Sequence, residues 1–166
     1  MKVIFLDIDG VLNGHDWDEA AQSNRIRHKC VERLSRIMAA TDAKIVLSSA
    51  WRYMIHCGAM TTRGFEYMLR THGANGIVNR IVGVTIRDEE TPGYLGPDHA
   101  HGCWEPRAAQ IRAWLGEHPD VESFVVIDDE CVPGFGTRFI QTNGKTGLTD
   151  ADVELVIAAM NMEAIA

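Results

Sequence analysis

Four places in the 166-residue chain hold side chains with an evident chemical use. Asp7 and Asp9 are separated by one residue and followed by Gly10. Ser48 and Ser49 are adjacent, Arg107 follows Pro106, and Asp128 and Asp129 form a second acidic pair. Brought into one cleft, these four carboxylates would repel one another, and burial makes that repulsion costly unless a cation offsets it. Mg²⁺ suits such a set, because it prefers oxygen ligands and keeps waters and phosphate oxygens in its shell. The serine hydroxyl adds a donor and Arg107 a fixed positive charge, while Gly10 lets the backbone turn sharply after the aspartates. Carboxylates, Mg²⁺, a hydroxyl and a cation together suit the stabilisation of a phosphoryl group in transfer.

The elements that must position these groups are legible from hydrophobic patterning. Val3 to Leu6, Lys44 to Leu47 and Ser123 to Ile127 are short apolar runs rich in β-formers and read as buried strands. Each ends at one of the chemical groups: Asp7, Ser48 and Asp128. A further strand is expected within Ile77 to Ile86, and a shorter one over Arg138 to Thr142. Residues 14 to 22 are polar and irregular. Ser23 is expected to cap a helix with Ile26, Cys30, Leu34, Ile37 and Met38 inward; its outer face carries Arg25, Lys29, Arg33 and Arg36, read as solvated. A second helix is expected over 61 to 72, ending at Gly73. A third begins near Pro106 and turns Ala108, Ile111, Trp114 and Leu115 inward. The last is capped by Thr149, with Val153, Val156, Ile157 and Met160 inward. Strands apolar throughout and alternating with helices indicate an α/β, three-layer Rossmann-like fold around a central, mainly parallel sheet. In such sheets sites form beyond the carboxyl ends of the strands.

Length and composition narrow the class. A chain of this length is expected to form one domain over residues 1 to 166, burying roughly 69% of its unfolded surface. The formal net charge of −7 argues against strong non-specific binding to nucleic acid or to anionic membrane. Cys30, Cys57, Cys103 and Cys131 lack the close spacing of a zinc knuckle or redox dithiol. The apolar N-terminus meets Asp7 too early for a leader, and no uncharged run reaches the roughly 20 residues of a membrane span. These features lead to the expectation of a reduced, cytoplasmic setting.

Phe5-Leu6-Asp7-Ile8-Asp9-Gly10-Val11-Leu12-Asn13 resembles the first motif of the haloacid dehalogenase (HAD) superfamily of phosphatases. Ile45-Val46-Leu47-Ser48 is similar to its second motif, Arg107 to its third, and Val126-Ile127-Asp128-Asp129 to its fourth. Order and spacing agree from residue 3 to residue 129. Leu47-Ser48-Ser49-Ala50-Trp51-Arg52, the helix from Arg107 to Leu115 and Thr146-Gly147-Leu148-Thr149 further resemble small capless HAD domains of multidomain RNA-repair proteins.

The resemblance implies that Asp7 attacks phosphorus and that Asp9 acts as general acid and then base. It implies Mg²⁺ held by Asp7, the Asp9 carbonyl and Asp128, with Asp129 nearby or acting through water. Ser48 and Arg107 would bind phosphate oxygens. Ser48 closes the strand and is favoured over Ser49, and Arg107, at a helix start, over Lys145 and Arg112. Arg52 is a candidate substrate contact, whereas Trp51 reads first as packing. His99, His101 and Cys103 read as loop surface, lacking a fourth spaced metal ligand.

About ten residues separate Leu12 from the expected helix, too few for a helical cap domain; the other insertion point offers only the loop near 87 to 103. The resemblance to capless family members implies an open cleft, one that admits a polynucleotide or protein phosphate as well as a nucleotide. The expected activity is therefore phosphate-monoester hydrolysis. A non-catalytic module that binds phosphorylated ends, or a phosphotransferase, would use the same fold.

Overall fold

The computed structural model describes residues 1–14, 17–18, 23–91 and 105–162. The chain enters through β1 (Lys2–Leu6), forms a short hairpin from β2 (Trp17–Asp18) and β3 (Ser23–Asn24), and runs through α1 (His28–Thr41) into β4 (Lys44–Leu47). Two helices follow, α2 (Arg52–His56) and α3 (Thr62–Thr71), and then β5 (Ile81–Val84). After a single 3-10 turn at Asp88–Glu90 come α4 (Glu105–Glu117), β6 (Ser123–Asp128), β7 (Phe139–Gln141) and α5 (Asp150–Asn161).

The five long-range strands form one sheet in the order β5-β4-β1-β6-β7, parallel throughout. The chain moves outward from β1 to β4 and β5, then returns to the other side of β1 to lay down β6 and β7. The order reverses between β1 and β6, and a crevice opens there at the carboxyl ends. This is the α/β architecture anticipated from patterning, and among the described residues no cap domain covers those ends.

Alternation along each strand divides the core between the two faces of the sheet. Ile4, Leu6, Ile45, Leu47, Val125 and Ile127 face α1, α3 and α5, where they pack with Leu34, Ile37, Phe65, Leu69, Val153 and Val156. Val3, Phe5, Val46 and Val126 face the other way, toward Ala108, Ile111 and Trp114 of α4. Trp114 meets Phe5 edge-to-face with ring centroids 5.4 Å apart. Fully burying such apolar side chains contributes about 1.5–3 kcal/mol each, which is why the α4 face holds with a short list of contacts.

Several local expectations change. Ser23 lies in β3 and does not cap α1; the helix begins at His28, behind Arg27, whose side chain makes no capping bond. Pairing with Trp17 and Asp18 draws Ser23 and Asn24 into the hairpin, a tertiary preference that outweighs the capping propensity of Ser. The stretch read as irregular, residues 14 to 22, thus holds β2, one strand of that pair. Helix α2 was not anticipated, because five residues are too few for periodicity to register. The strand expected within Ile77 to Ile86 forms at Ile81–Val84, and the last strand is shorter than expected, at Phe139–Gln141.

Other expectations hold. Thr149 caps α5 through a reciprocal box with Asp152. The outward face of α1, read as solvated, differs: Arg25 lies before the helix, and Arg33 and Arg36 pair with Asp150 at the start of α5, at 2.6 and 2.5 Å. The loop expected over 87 to 103 is described only as far as Thr91; His99, His101 and Cys103 lie outside the described residues. Buried Glu66, whose charge would be costly without partners, accepts from the backbone N–H groups of Asn79 and Ile81 and so anchors the entry to β5. No helix among the described residues is long and apolar enough to cross a membrane.

Candidate active site

Strand register assembles the site. Leu6 pairs with both Leu47 and Ile127, so the next residue of each strand, Asp7, Ser48 and Asp128, stands in one row. Backbone bonds from the Asp7 N–H to the Ile127 carbonyl and from the Ser48 N–H to the Leu6 carbonyl, both 3.0 Å, carry the ladder one step further. Because side chains alternate, this row projects from the face that carries Phe5, Val46 and Val126, the face covered by α4. The first turn of α4 therefore delivers Arg107 to it. Arg107 lies 3.4 Å from Asp7 Oδ1 and donates a short hydrogen bond to Asp128 Oδ2.

Asp7, Asp128 and Asp129 each offer a carboxylate oxygen, and all three lie within 4.8 Å of one another. Asp128 is fully buried and Asp7 nearly so. Burial pushes the Asp7 carboxyl up from 3.8 to about 7, against the pull of Arg107 and with the help of the Asp128 and Asp129 charges. Asp128 is raised as well, by burial first, again against Arg107. For Arg107 burial favours loss of the proton, but the carboxylates of Asp7 and Asp128 outweigh it and hold the guanidinium charged. One arginine thus faces two buried carboxylates, with the half-buried Asp129 beside them. Such an oxygen-rich, over-acidic cluster fits a hard divalent cation of the Mg²⁺ kind.

The two serines have different surroundings. Ser49 Oγ accepts from the Trp51 N–H at 3.4 Å, and its hydroxyl lowers the Asp7 carboxyl's pKa against the larger effect of burial. Ser48 Oγ is fully buried and is the one buried side-chain polar atom without a hydrogen-bond partner among the described residues. A buried hydroxyl left unsatisfied costs about 1–3 kcal/mol, so a ligand oxygen arriving there recovers what the fold gives up. That orphan lies at the end of β4, in the same row as Asp7 and Asp128.

Asp9 sits apart from the triad, in a polar bracket of its own. Trp51 Nε1 donates to its Oδ2 at 2.9 Å, and Asn13 Nδ2 donates to its Oδ1 at 2.7 Å. The Asn13 carbonyl in turn accepts from the Gly10 N–H at 2.8 Å, closing the turn behind the aspartates. Gly10 takes φ +75°, and a Cβ there would come within 2.3 Å of the Asp129 carboxyl carbon. The glycine therefore both permits the turn and makes room for the second acidic pair. Thr142, just past β7, ties down the Gly10 carbonyl at 2.9 Å.

Arg52 does not share the open side of the cleft. It is buried and donates to the carbonyls of Ser49 and Ile86 and to Asp88, at 2.9, 3.2 and 2.6 Å, with its guanidinium 4.8 Å from the Tyr53 ring centroid. Asp88 also accepts from Gln110, which reaches Thr91 as well. These bonds tie the serine loop to the turn after β5. Between Arg52 and Arg107 lies a cavity of about 60 Å³, lined also by Ala50, Tyr53, Asp88 and Gln110. It has room for about two waters and none for a nucleoside. Arg112, weighed as an alternative cation, is occupied elsewhere, on the Pro133 carbonyl and the Phe135 ring.

Three side chains of this network carried no functional expectation: Trp51, Asn13 and Gln110. Asn13 had a local signal, an Asn three residues after a glycine that could close an Asx-type turn. Trp51 and Gln110 had none, because their partners lie far off in sequence.

Comparison with known proteins agrees with this geometry. The family model described as the HAD domain in Swiss Army Knife RNA repair proteins matches residues 3–153, which contain every residue of the site. No curated protein and no solved structure matches the chain. A parallel sheet ending in Asp7, Ser48 and Asp128, with Arg107 brought over it by the following helix, accompanies a match across most of the sequence: this chain belongs to the family of HAD domains found in Swiss Army Knife RNA repair proteins.

Proposed function

We propose that the chain is a Mg²⁺-dependent phosphatase that hydrolyses phosphate monoesters through an aspartyl-phosphate intermediate, acting on nucleic-acid ends or nucleotides. The observation that carries this reading is the cluster of buried Asp7 and Asp128 with part-buried Arg107 and Asp129, beside the unpartnered Ser48 hydroxyl. Asp7, Asp128 and Asp129 would hold the metal, with the Asp9 carbonyl. When bound, Mg²⁺ supplies positive charge that offsets the carboxylates and the phosphate oxygens.

The protein's own groups then divide the work. Asp7 attacks phosphorus, its carboxylate oxygen forming the new P–O bond as the ester P–O bond breaks. Asp9, as the carboxylic acid, gives its proton to the departing alkoxide oxygen. As the carboxylate it then takes a proton from the water that attacks the aspartyl-phosphate, so phosphate leaves and both aspartates return to their starting states. Arg107 and Ser48 donate to phosphate oxygens, and these donors count most where charge builds up in the transition state. Ser49 orients Asp7. Arg52, spent on Ser49 and Asp88, supports the loop that carries both serines.

The occurrence of the family in RNA repair proteins favours an RNA end as substrate. The net charge of −7 favours contact with the terminal phosphate over a long basic track. We place this domain in the cytoplasm, in keeping with cysteines that lack the close spacing of a zinc knuckle or redox dithiol, and read residues 1 to 166 as one folded unit.

The test is phosphate release with Mg²⁺ from an aryl phosphate and from a panel of 5′- and 3′-phosphorylated oligonucleotides, nucleotides, sugar phosphates and phosphopeptides. Wild-type turnover that Asp7→Asn abolishes is the expected result. Tight binding of a phosphorylated oligonucleotide with no release of phosphate would replace the enzyme by a binding module.

A further inference from the structure

Both oxygens of the Asp9 carboxylate are engaged by neutral N–H donors from separate parts of the chain. Asn13 belongs to the turn that follows β1. Trp51 belongs to the segment between β4 and α2, and its ring is fixed edge-on against Phe65 of α3 with centroids 5.8 Å apart. The indole N–H therefore has a rigid origin in the core, and it reaches a half-buried carboxylate 42 residues earlier in the chain. Without these donors the side chain could rotate about two torsions, and a proton carried at its tip would sample many positions. With one donor on each oxygen, rotation is arrested, yet each oxygen keeps a further lone pair for a proton, a leaving oxygen or a water. Neither donor can take the proton away, because an indole N–H and an amide do not titrate in the working range.

We infer that Trp51 and Asn13 are the positioning residues for the acid/base Asp9, holding its carboxylate where the leaving oxygen must be protonated. Effective proton transfer requires heavy atoms within hydrogen-bond reach, and small displacements of a positioned group lower the rate steeply. The inference rests on the phosphatase reading. It goes beyond it by giving a function to the tryptophan that follows the serine pair. Both residues act through Asp9 and touch no substrate atom in this assignment.

The consequence is selective. A poor alkoxide leaving group needs its proton during bond cleavage, whereas p-nitrophenolate departs without one. Trp51→Phe removes the N–H while retaining an aromatic ring against Phe65. Measured as kcat/KM with Mg²⁺, this variant should lose about tenfold on the alkyl phosphate that the wild type hydrolyses fastest, and less than about twofold on p-nitrophenyl phosphate. In an Asp9→Asn background the same change should have no further effect on the alkyl ester, because the group it positions is gone.

Equal losses on both substrates, or a full additional loss in the Asp9→Asn background, overturn the inference while leaving the phosphatase reading in place. A wild-type protein inactive toward every phosphate ester overturns both. Should Trp51→Phe fail to fold, Asn13→Ala carries the same test: it removes the donor to Asp9 without placing a charge beside it, and the Asp9→Asn background separates out any loss that comes from the Gly10 N–H.

Discussion

Asp7 and Asp9 are two residues apart, yet they sit in two different kinds of environment. Asp7 is buried among charges: Asp128 and Asp129 push against it, Arg107 pulls, and the hydroxyl of Ser49 is its neutral donor. Asp9 is half-buried among neutral donors, the indole of Trp51 and the amide of Asn13. The first environment is built by strand register and would be reordered by a cation. The second is built by loops. Neighbours rather than residue type decide what a carboxylate does, so two carboxylates on one short turn can have separate duties; in the proposed reaction one faces metal and phosphorus and the other the leaving group.

The comparison can be broken from either side. Asp7→Asn should have the largest effect, abolishing steady-state phosphate release with a loss of roughly 10⁴-fold or more, since it removes a member of a unit that acts together. Residual activity within tenfold of wild type would show that Asp7 is not the attacking group. Asp9→Asn comes next: the loss on alkyl phosphates should be about 10²–10⁴-fold, the usual range for a general acid, and clearly smaller on p-nitrophenyl phosphate. Indifference to the leaving group would merge the two environments into one.

A smaller effect is expected at the hinge between them. Gly10→Ala places a side chain at φ +75° and against the Asp129 carboxyl, so thermal unfolding should show a loss of about 1–3 kcal/mol, together with weaker Mg²⁺ binding. An unchanged melting temperature would mean that the turn relaxes freely. The smallest effect concerns pH. In the metal-free protein Asp7 titrates near 7 instead of 3.8, so between these values the folded state holds a proton that the unfolded chain has released. Metal-free stability should therefore fall as pH rises through that window and level off above it. The rise in melting temperature given by Mg²⁺ over EDTA should accordingly be larger at pH 8 than at pH 5, by about 2–4 °C for each kcal/mol gained. Equal shifts at both pH values would remove the cation from the Asp7 environment.

The two environments were not equally legible. Asp7, Ser48, Arg107 and Asp128 could be singled out because each follows an apolar strand or opens a helix, features with a strong local signature. The bracket around Asp9 could not, since an indole N–H that crosses 42 residues to a carboxylate leaves no trace in spacing. The same reason explains Arg52. Its position after the serines suggested substrate, whereas its bonds to Ile86 and Asp88 depend on how β5 and the turn after it lie alongside β4. Ser23 shows the local version of the problem: a good capping residue was taken into a strand pair by a partner that its own neighbourhood does not reveal.

What the amino-acid sequence determined alone was the period of each strand and helix, the identity of the charged groups at the strand ends, and hence the parallel α/β architecture and its family. These are consequences of short-range sterics and of which residues shun water. What only the tertiary structure decided was which carboxylate meets which partner: Arg107 across Asp7 and Asp128, Trp51 and Asn13 across Asp9, and Ser48 left without one. Those pairings depend on register between strands and on the seating of α4 and α3 against opposite faces. They are set by packing at distances of a few ångströms between residues that the chain itself keeps far apart.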